Sequence, residues 1–148
     1  MKGVISGLVA FVVCFAFSAT AAPVDDARAL FERYKHLEQS FDPAAADLYA
    51  DDAVIKNKRT YPTGQVREIA IPAPQYKVLI RQSMPLAKDR GDTSSYSEVT
   101  FKVEGAGVRI RATRFSNLKK YSSPLSLLVA PNGNGQWLIR EELSESQP

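Results

Sequence analysis

The chain has 148 residues, a formal net charge of +3, 45% hydrophobic residues, one cysteine and one histidine. That length supports one domain with a real core. So small a basic surplus argues against a nucleic-acid partner, and one histidine with one cysteine leaves no ligand set for a His/Cys metal cluster.

Met1-Lys2-Gly3 is a short basic start, Val4 to Phe17 is almost wholly apolar, and Ser18-Ala19-Thr20-Ala21 sets small residues where a signal peptidase reads. This pattern predicts a secretory signal peptide over residues 1–21, cleaved near Ala21. The apolar run is shorter than the roughly 20 residues that span a bilayer, so a stable membrane anchor is not expected. Cys14 lies inside that run and not after small residues at its end, which argues against lipid attachment. Cleavage would leave residues 22–148 as a single cysteine-free domain, periplasmic or secreted and standing on its core without a disulfide.

Asp25 and Asp26, just after Pro23, suit a helix N-cap. Ala27, Leu30, Phe31, Tyr34 and Leu37 then recur at three- and four-residue spacing, predicting an amphipathic helix that ends near Ser40. Asp42-Pro43 restarts the helix with Asp as cap and Pro at the first position, and the alanine run 44–46 continues it. Ala53-Val54-Ile55 opens a strand, Pro62-Thr63-Gly64 is a turn, and 65–71 returns as a partner strand. Lys56-Asn57-Lys58-Arg59, the densest basic patch, reads as a solvated hairpin. A third helix is expected from Pro74 to about Ser83, with Tyr76, Leu79 and Ile80 inward and Pro85 limiting its far end. Strands come next at 97–104, 108–115, 125–130 and 137–143, with tight turns at 105–107 and 131–135.

The order helix, short helix, hairpin, helix and four strands predicts an α+β domain: a cone-shaped, bent antiparallel sheet wrapped around three helices of the N-terminal half. In "FDPAAADLYADDAVI" (41–55), "VRIRATRF" (108–115) and "GQWLIREELSES" (135–146) the chain resembles the nuclear-transport-factor-two-like superfamily, also called the SnoaL-like or cystatin-like α+β barrel group. The resemblance covers the whole of 22–148. It implies that Asp51 and Asp52 mark the junction between the second helix and the first strand. As neighbours entering a strand they point to opposite faces, so they are not expected to act on one atom together.

The resemblance also implies a pocket inside the cone, which in the enzymes of that group holds buried Asp, His, Tyr or Arg. Here His36 falls on the exposed phase of the first helix, so a histidine-based dehydratase mechanism is poorly supported. Strand parity places Arg114 with Val108, Ile110 and Ala112, and Glu141 with Trp137 and Ile139. Both charged residues are therefore expected inside the cone, unless they form a structural ion pair or a bulge turns one of them outward. With Tyr49, Tyr76 and Trp137 they form the expected ligand-binding set, fixing the polar end of a molecule in an apolar pocket. Arg109 and Arg111 have the opposite parity, beside Glu98 and Glu104. Leu128, Ala130 and Leu138 on that outer face would supply an apolar patch for a homodimer.

Three functions remain open on these grounds. The first is an exported, non-catalytic small-ligand-binding or accessory domain, taking a small apolar molecule. The second is a protein-interaction module acting through its sheet. The third is an isomerase- or hydrolase-type enzyme with Glu141 or Asp42 as its carboxylate and Tyr49 or Tyr76 assisting. None of the three implies a cofactor, a metal or a nucleic acid.

Overall fold

The computed structural model describes residues 21–148, so almost all of the leader-like segment lies outside the described residues. Helix α1 (Ala21–Gln39) buries Ala27, Leu30, Phe31, Tyr34 and Leu37, the stripe its spacing predicts. Asp25 and Asp26 do not cap it; they lie within the helix. The described helix already includes Pro23 and Val24, ahead of the aspartates. His36 sits on the solvent side of the helix, away from the buried stripe.

Asp42 does cap the next element: its carboxylate accepts the Ala44 N–H at 2.8 Å, with Pro43 in the first position. That element is a 3-10 helix (Pro43–Leu48), and it stops before the two aspartates. Tyr49 is already extended, and strand β1 (Tyr49–Thr60) starts there. Asp51 and Asp52 are thus strand residues, not a helix terminus.

Strand β2 (Val66–Pro72) pairs with β1 as the expected hairpin. Helix α2 (Ala73–Arg90) then runs through Pro85 and ends at Gly91, whose left-handed φ of 62° closes it. Pro85 does not stop the helix because it sits on the exposed side, where water can serve the carbonyl that its missing N–H leaves free. The inward stripe of α2 is Tyr76, Ile80 and Met84; Leu79 is exposed.

Strands β3 (Ser94–Glu104), β4 (Gly107–Ser116), β5 (Tyr121–Pro131) and β6 (Trp137–Ser146) complete a six-stranded sheet of order β2-β1-β6-β5-β4-β3. All neighbours are antiparallel except β1 and β6, which run parallel, so the curled sheet is mixed and not purely antiparallel. The inner face carries Val108, Ile110, Leu125, Leu127, Val129 and Ile139, all buried, and α1 packs over it. Phe31 of α1 meets the rings of Tyr34, Tyr96 and Phe101, which closes that side of the core with aromatic contacts.

Two irregularities decide which side chains enter the cone. In β3 the register shifts between Ser97 and Thr100, where Glu98 takes a left-handed φ of 52°. In β6, Ile139 faces Val129 while Glu141 faces Leu128, which leaves Arg140 as an extra residue. Such a bulge reverses the parity of everything beyond it. Facing it, β1 is also irregular between Tyr49 and Val54. Asp52 pairs with Arg140 at 2.9 Å across the two distortions, and Asp51 pairs with Lys77 of α2 at 2.7 Å. The adjacent aspartates therefore tie the distorted start of β1 to two different partners.

Candidate functional site

The bulge at Arg140 corrects the expected site. Glu141 does not enter the cone; it lies on the outer face and pairs with Arg109, which also holds Glu104 through two hydrogen bonds of 2.9 and 3.0 Å. Glu142 enters in its place and is 2% exposed. Its two oxygens accept the hydroxyls of Tyr49, on β1, and of Tyr76, on α2, the second at 2.9 Å. Burial, and then the charge of Glu142, raise both tyrosines well above the ordinary phenol range, so they remain neutral donors.

The inner face grades from apolar to polar along the strands. One row across β1, β6, β5, β4 and β3 is Ile55, Glu142, Leu127, Ile110 and Phe101. The next row towards the open end begins Asn57, Ser144, Leu125 and Ala112, with Asn57 donating to Ser144 at 3.0 Å. Beyond it Arg59 lies opposite Ser146, and Arg114 lies opposite Ser123 on one side and Tyr96 on the other. Arg114 thus sits inside the cone, as its parity predicts.

A second buried carboxylate, Glu38 at the end of α1, accepts the Tyr96 hydroxyl and, at 3.2 Å, that of Ser94. Burial raises its pKa, against the lowering effects of these hydrogen bonds and of the Arg114 charge. Tyr34 and Tyr96 are also pushed up, first by burial.

Two cavities open onto this surface. One, of ≈270 Å³, is bordered by Ile55, Ile69, Ile71, Tyr76 and Glu142. The other, of ≈300 Å³, lies at the mouth beside Glu38, Met84, Arg114 and Tyr121. Arg59 and Ser146 line both. The pocket is therefore more polar than expected. A larger groove of ≈430 Å³ lies on the back of the sheet, among Lys56, Glu68, Glu98, Arg111 and Leu143.

Of the five residues expected to bind a ligand, the structure brings Tyr49 and Tyr76 together on Glu142 and places Arg114 on the same inner face, at the mouth cavity. Trp137 lies towards the other end of β6, packed against the core beside Leu30 and Leu48 of a separate surface depression. Asp42, the other candidate carboxylate, is engaged as a cap. Sequence reading missed Glu142, Glu38 and Arg59. Arg59 had a signal, since it shares parity with the buried Ile55; Glu142 had none, because a bulge turns it inward. On the outer face Leu138 packs partly against the core, so the apolar side chains most exposed there are Val54, Val66 and Leu143. Among the described residues no group of three or more His, Cys, Asp or Glu is arranged to hold a metal ion.

No protein-family model matches the sequence, and no curated protein matches it. Solved structures do. An NTF2-like protein with a cystatin-like fold from Novosphingobium aromaticivorans is 18% identical, with 84% of this chain and 81% of that one covered at a TM-score of 0.58. A protein from Catenulispora acidiphila, in complex with S-DNPA, is 14% identical over 84% of this chain and 93% of that one, TM-score 0.56. A proposed dehydratase of the NTF2-like family from Streptomyces avermitilis is 12% identical over 84% and 95%, TM-score 0.59. At these identities the likeness is one of fold: the chain adopts the NTF2-like, cystatin-like α+β architecture that its sequence resembles.

Proposed function

We propose that this chain is a non-catalytic binding domain for a small molecule, held in the open half of the cone between α2 and the sheet. The observation that carries this reading is the pair of cavities, ≈270 and ≈300 Å³, that share Arg59 and Ser146 as lining and are backed by buried polar side chains. Together they fall in the size range of small-molecule sites, and they have the convergent polar groups such sites use. The Catenulispora acidiphila protein, which shares the fold, is described in complex with a ligand. Binding is favoured over acid–base catalysis because each oxygen of Glu142 already takes a tyrosine hydroxyl. A general base needs a carboxylate within reach of the substrate proton, and the two carboxylates expected from the sequence, Glu141 and Asp42, are committed to Arg109 and to a helix cap.

The leader-like 1–21 segment supports export of the mature domain to the periplasm or beyond. No helix among the described residues is long and apolar enough to cross a membrane. N-terminal sequencing of protein recovered from the periplasm checks the export: Ala22 is expected as the first residue.

Native mass spectrometry of that mature protein tests the binding. A reproducible small added mass, absent from a Ser146→Phe variant that fills the wall between the cavities, is the expected result. An empty particle that no metabolite library stabilises against heat would sink the reading and favour the sheet-mediated interaction module.

A further inference from the structure

Arg59 and Arg114 stand apart from the other charges of the interior. Glu142 is satisfied by two tyrosines, and Glu38 by Tyr96 and Ser94. The two guanidinium groups have fewer partners, although Arg59 lies over the Tyr61 ring, 5.5 Å from its centroid. Among the described residues neither makes an ion pair. Arg114 donates through Nη2 to the Glu145 carbonyl at 3.3 Å. The Nε of Arg59 is buried and donates to nothing among those residues. A guanidinium carries five N–H donors, and buried donors are normally matched by an acceptor.

Their placement gives them a common target. In the sheet order β1-β6-β5-β4 they are three strands apart, or about 14 Å along a flat sheet with strands roughly 4.8 Å apart, and less across a curled one. Between them stand only serines, Ser146 beside Arg59 and Ser123 beside Arg114. Small side chains there leave the space above the sheet open to both arginines. Both border the mouth cavity, whose lining also includes Lys119 against the carboxylates of Glu38 and Asp92. Three cations facing two anions leave one positive charge in excess, which matches a monoanion better than a dianion. The inner chamber, with Glu142 and the side chains of Ile55, Ile69 and Ile71, repels an anion and accepts an apolar body.

Resting on the small-molecule reading above, we propose that the ligand is a monocarboxylic acid, its carboxylate held between Arg59 and Arg114 at the mouth and its short apolar chain directed towards Ile55 and Tyr76. Arginine suits this role because its planar fork meets a carboxylate through two parallel hydrogen bonds.

The test compares hexanoate, hexan-1-ol and inorganic phosphate by isothermal titration calorimetry on the mature protein. Hexanoate is expected to bind at least about tenfold more tightly than hexan-1-ol, the margin charge-assisted hydrogen bonds supply. Arg59→Gln and Arg114→Gln should each lose that margin, so that hexanoate binds no more tightly than hexan-1-ol. Arg114→Lys, which keeps the charge but not the fork, should retain part of it, and circular dichroism on each variant separates loss of binding from loss of fold. Equal binding of hexanoate and hexan-1-ol overturns the carboxylate clamp while leaving the binding pocket standing. Phosphate competing as well as hexanoate also overturns the monocarboxylate assignment. An empty native particle that takes up none of the three probes removes the pocket reading and this proposal with it.

Discussion

The carboxylate of Glu142 on β6 accepts the hydroxyl of Tyr49, a residue 93 positions earlier on β1. The two strands are the parallel pair that joins the first and last strands of the chain, so this bond fastens the chain's late arrival to its early hairpin from inside the cone. Tyr49→Phe removes a donor from a buried anion. It should lower unfolding free energy by about 1.5–3 kcal/mol, the range for hydrogen bonds to charged groups, as read from urea denaturation. Glu141→Gln, one residue away, should cost no more than about 1 kcal/mol, because its partner Arg109 keeps Glu104 and the pair is partly solvated. Equal losses in the two variants would place both carboxylates in similar surroundings, contrary to the bulge.

That contrast shows where the sequence is readable and where it stops. Period-three and period-four spacing in α1 and strict alternation in β4 name the core side chains correctly, Arg114 included, because those elements run without interruption. Glu142 stays hidden because parity counts from Trp137 fail at Arg140, and a bulge has no fixed residue signature. Pro85 misleads for a different reason. Its cost depends on whether the freed carbonyl meets water, and that is a property of the packed surface. Asp51 and Asp52 do separate onto different partners, as neighbours in a strand should, but those partners, Lys77 and Arg140, come from elements distant in the chain.

Gly107 opens β4 with its Cα pressed against the neighbouring strand. A Cβ there would collide with the Val129 carbonyl oxygen and touch the Ala130 side chain. Backbone cannot give way as a flexible side chain can, so Gly107→Ala should destabilise by about 1–3 kcal/mol. Gly105, two residues earlier, has open space but a left-handed φ of 58°, and Gly105→Ala should cost about 1 kcal/mol from backbone strain alone. Thermal melts of the two variants check the order, which reverses if β4 and β5 lie further apart than this close approach requires.

Glu38 makes stability depend on pH in a direction opposite to that of most acids. Burial raises its folded-state pKa above the ordinary carboxylate value, so between those two values the folded protein binds more protons than the unfolded chain. Stability from this group is fully present below the unfolded pKa and is lost as pH rises through the folded one. Glu38→Gln keeps an acceptor for Tyr96 without the charge. The variant should therefore melt above the parent at neutral pH, and the gap should close as pH falls to the unfolded carboxylate range. A gap that stays constant with pH would show that Glu38 does not titrate differently in the two states.

We propose that the outer face of the sheet is the surface of a homodimer. Val54 and Leu143 are 47% and 39% exposed, and Val66 lies on the same face. Around them Lys56–Glu68 and Lys58–Glu145 pair across strands at 3.5 and 3.7 Å. A two-fold axis sets one patch against its own copy, which buries the valines and leucine while leaving those charges at a solvated rim. Mature protein should sediment as a dimer at micromolar concentration, and Val54→Asp should sediment as a monomer, since two copies of the new carboxylate would meet near the axis. Because the binding cavities open on the opposite face, the monomeric variant should bind one hexanoate per chain as the parent does. A parent protein that is monomeric at every concentration would leave this face to a different partner, and loss of hexanoate binding in Val54→Asp would mean that the two faces of the sheet are not independent.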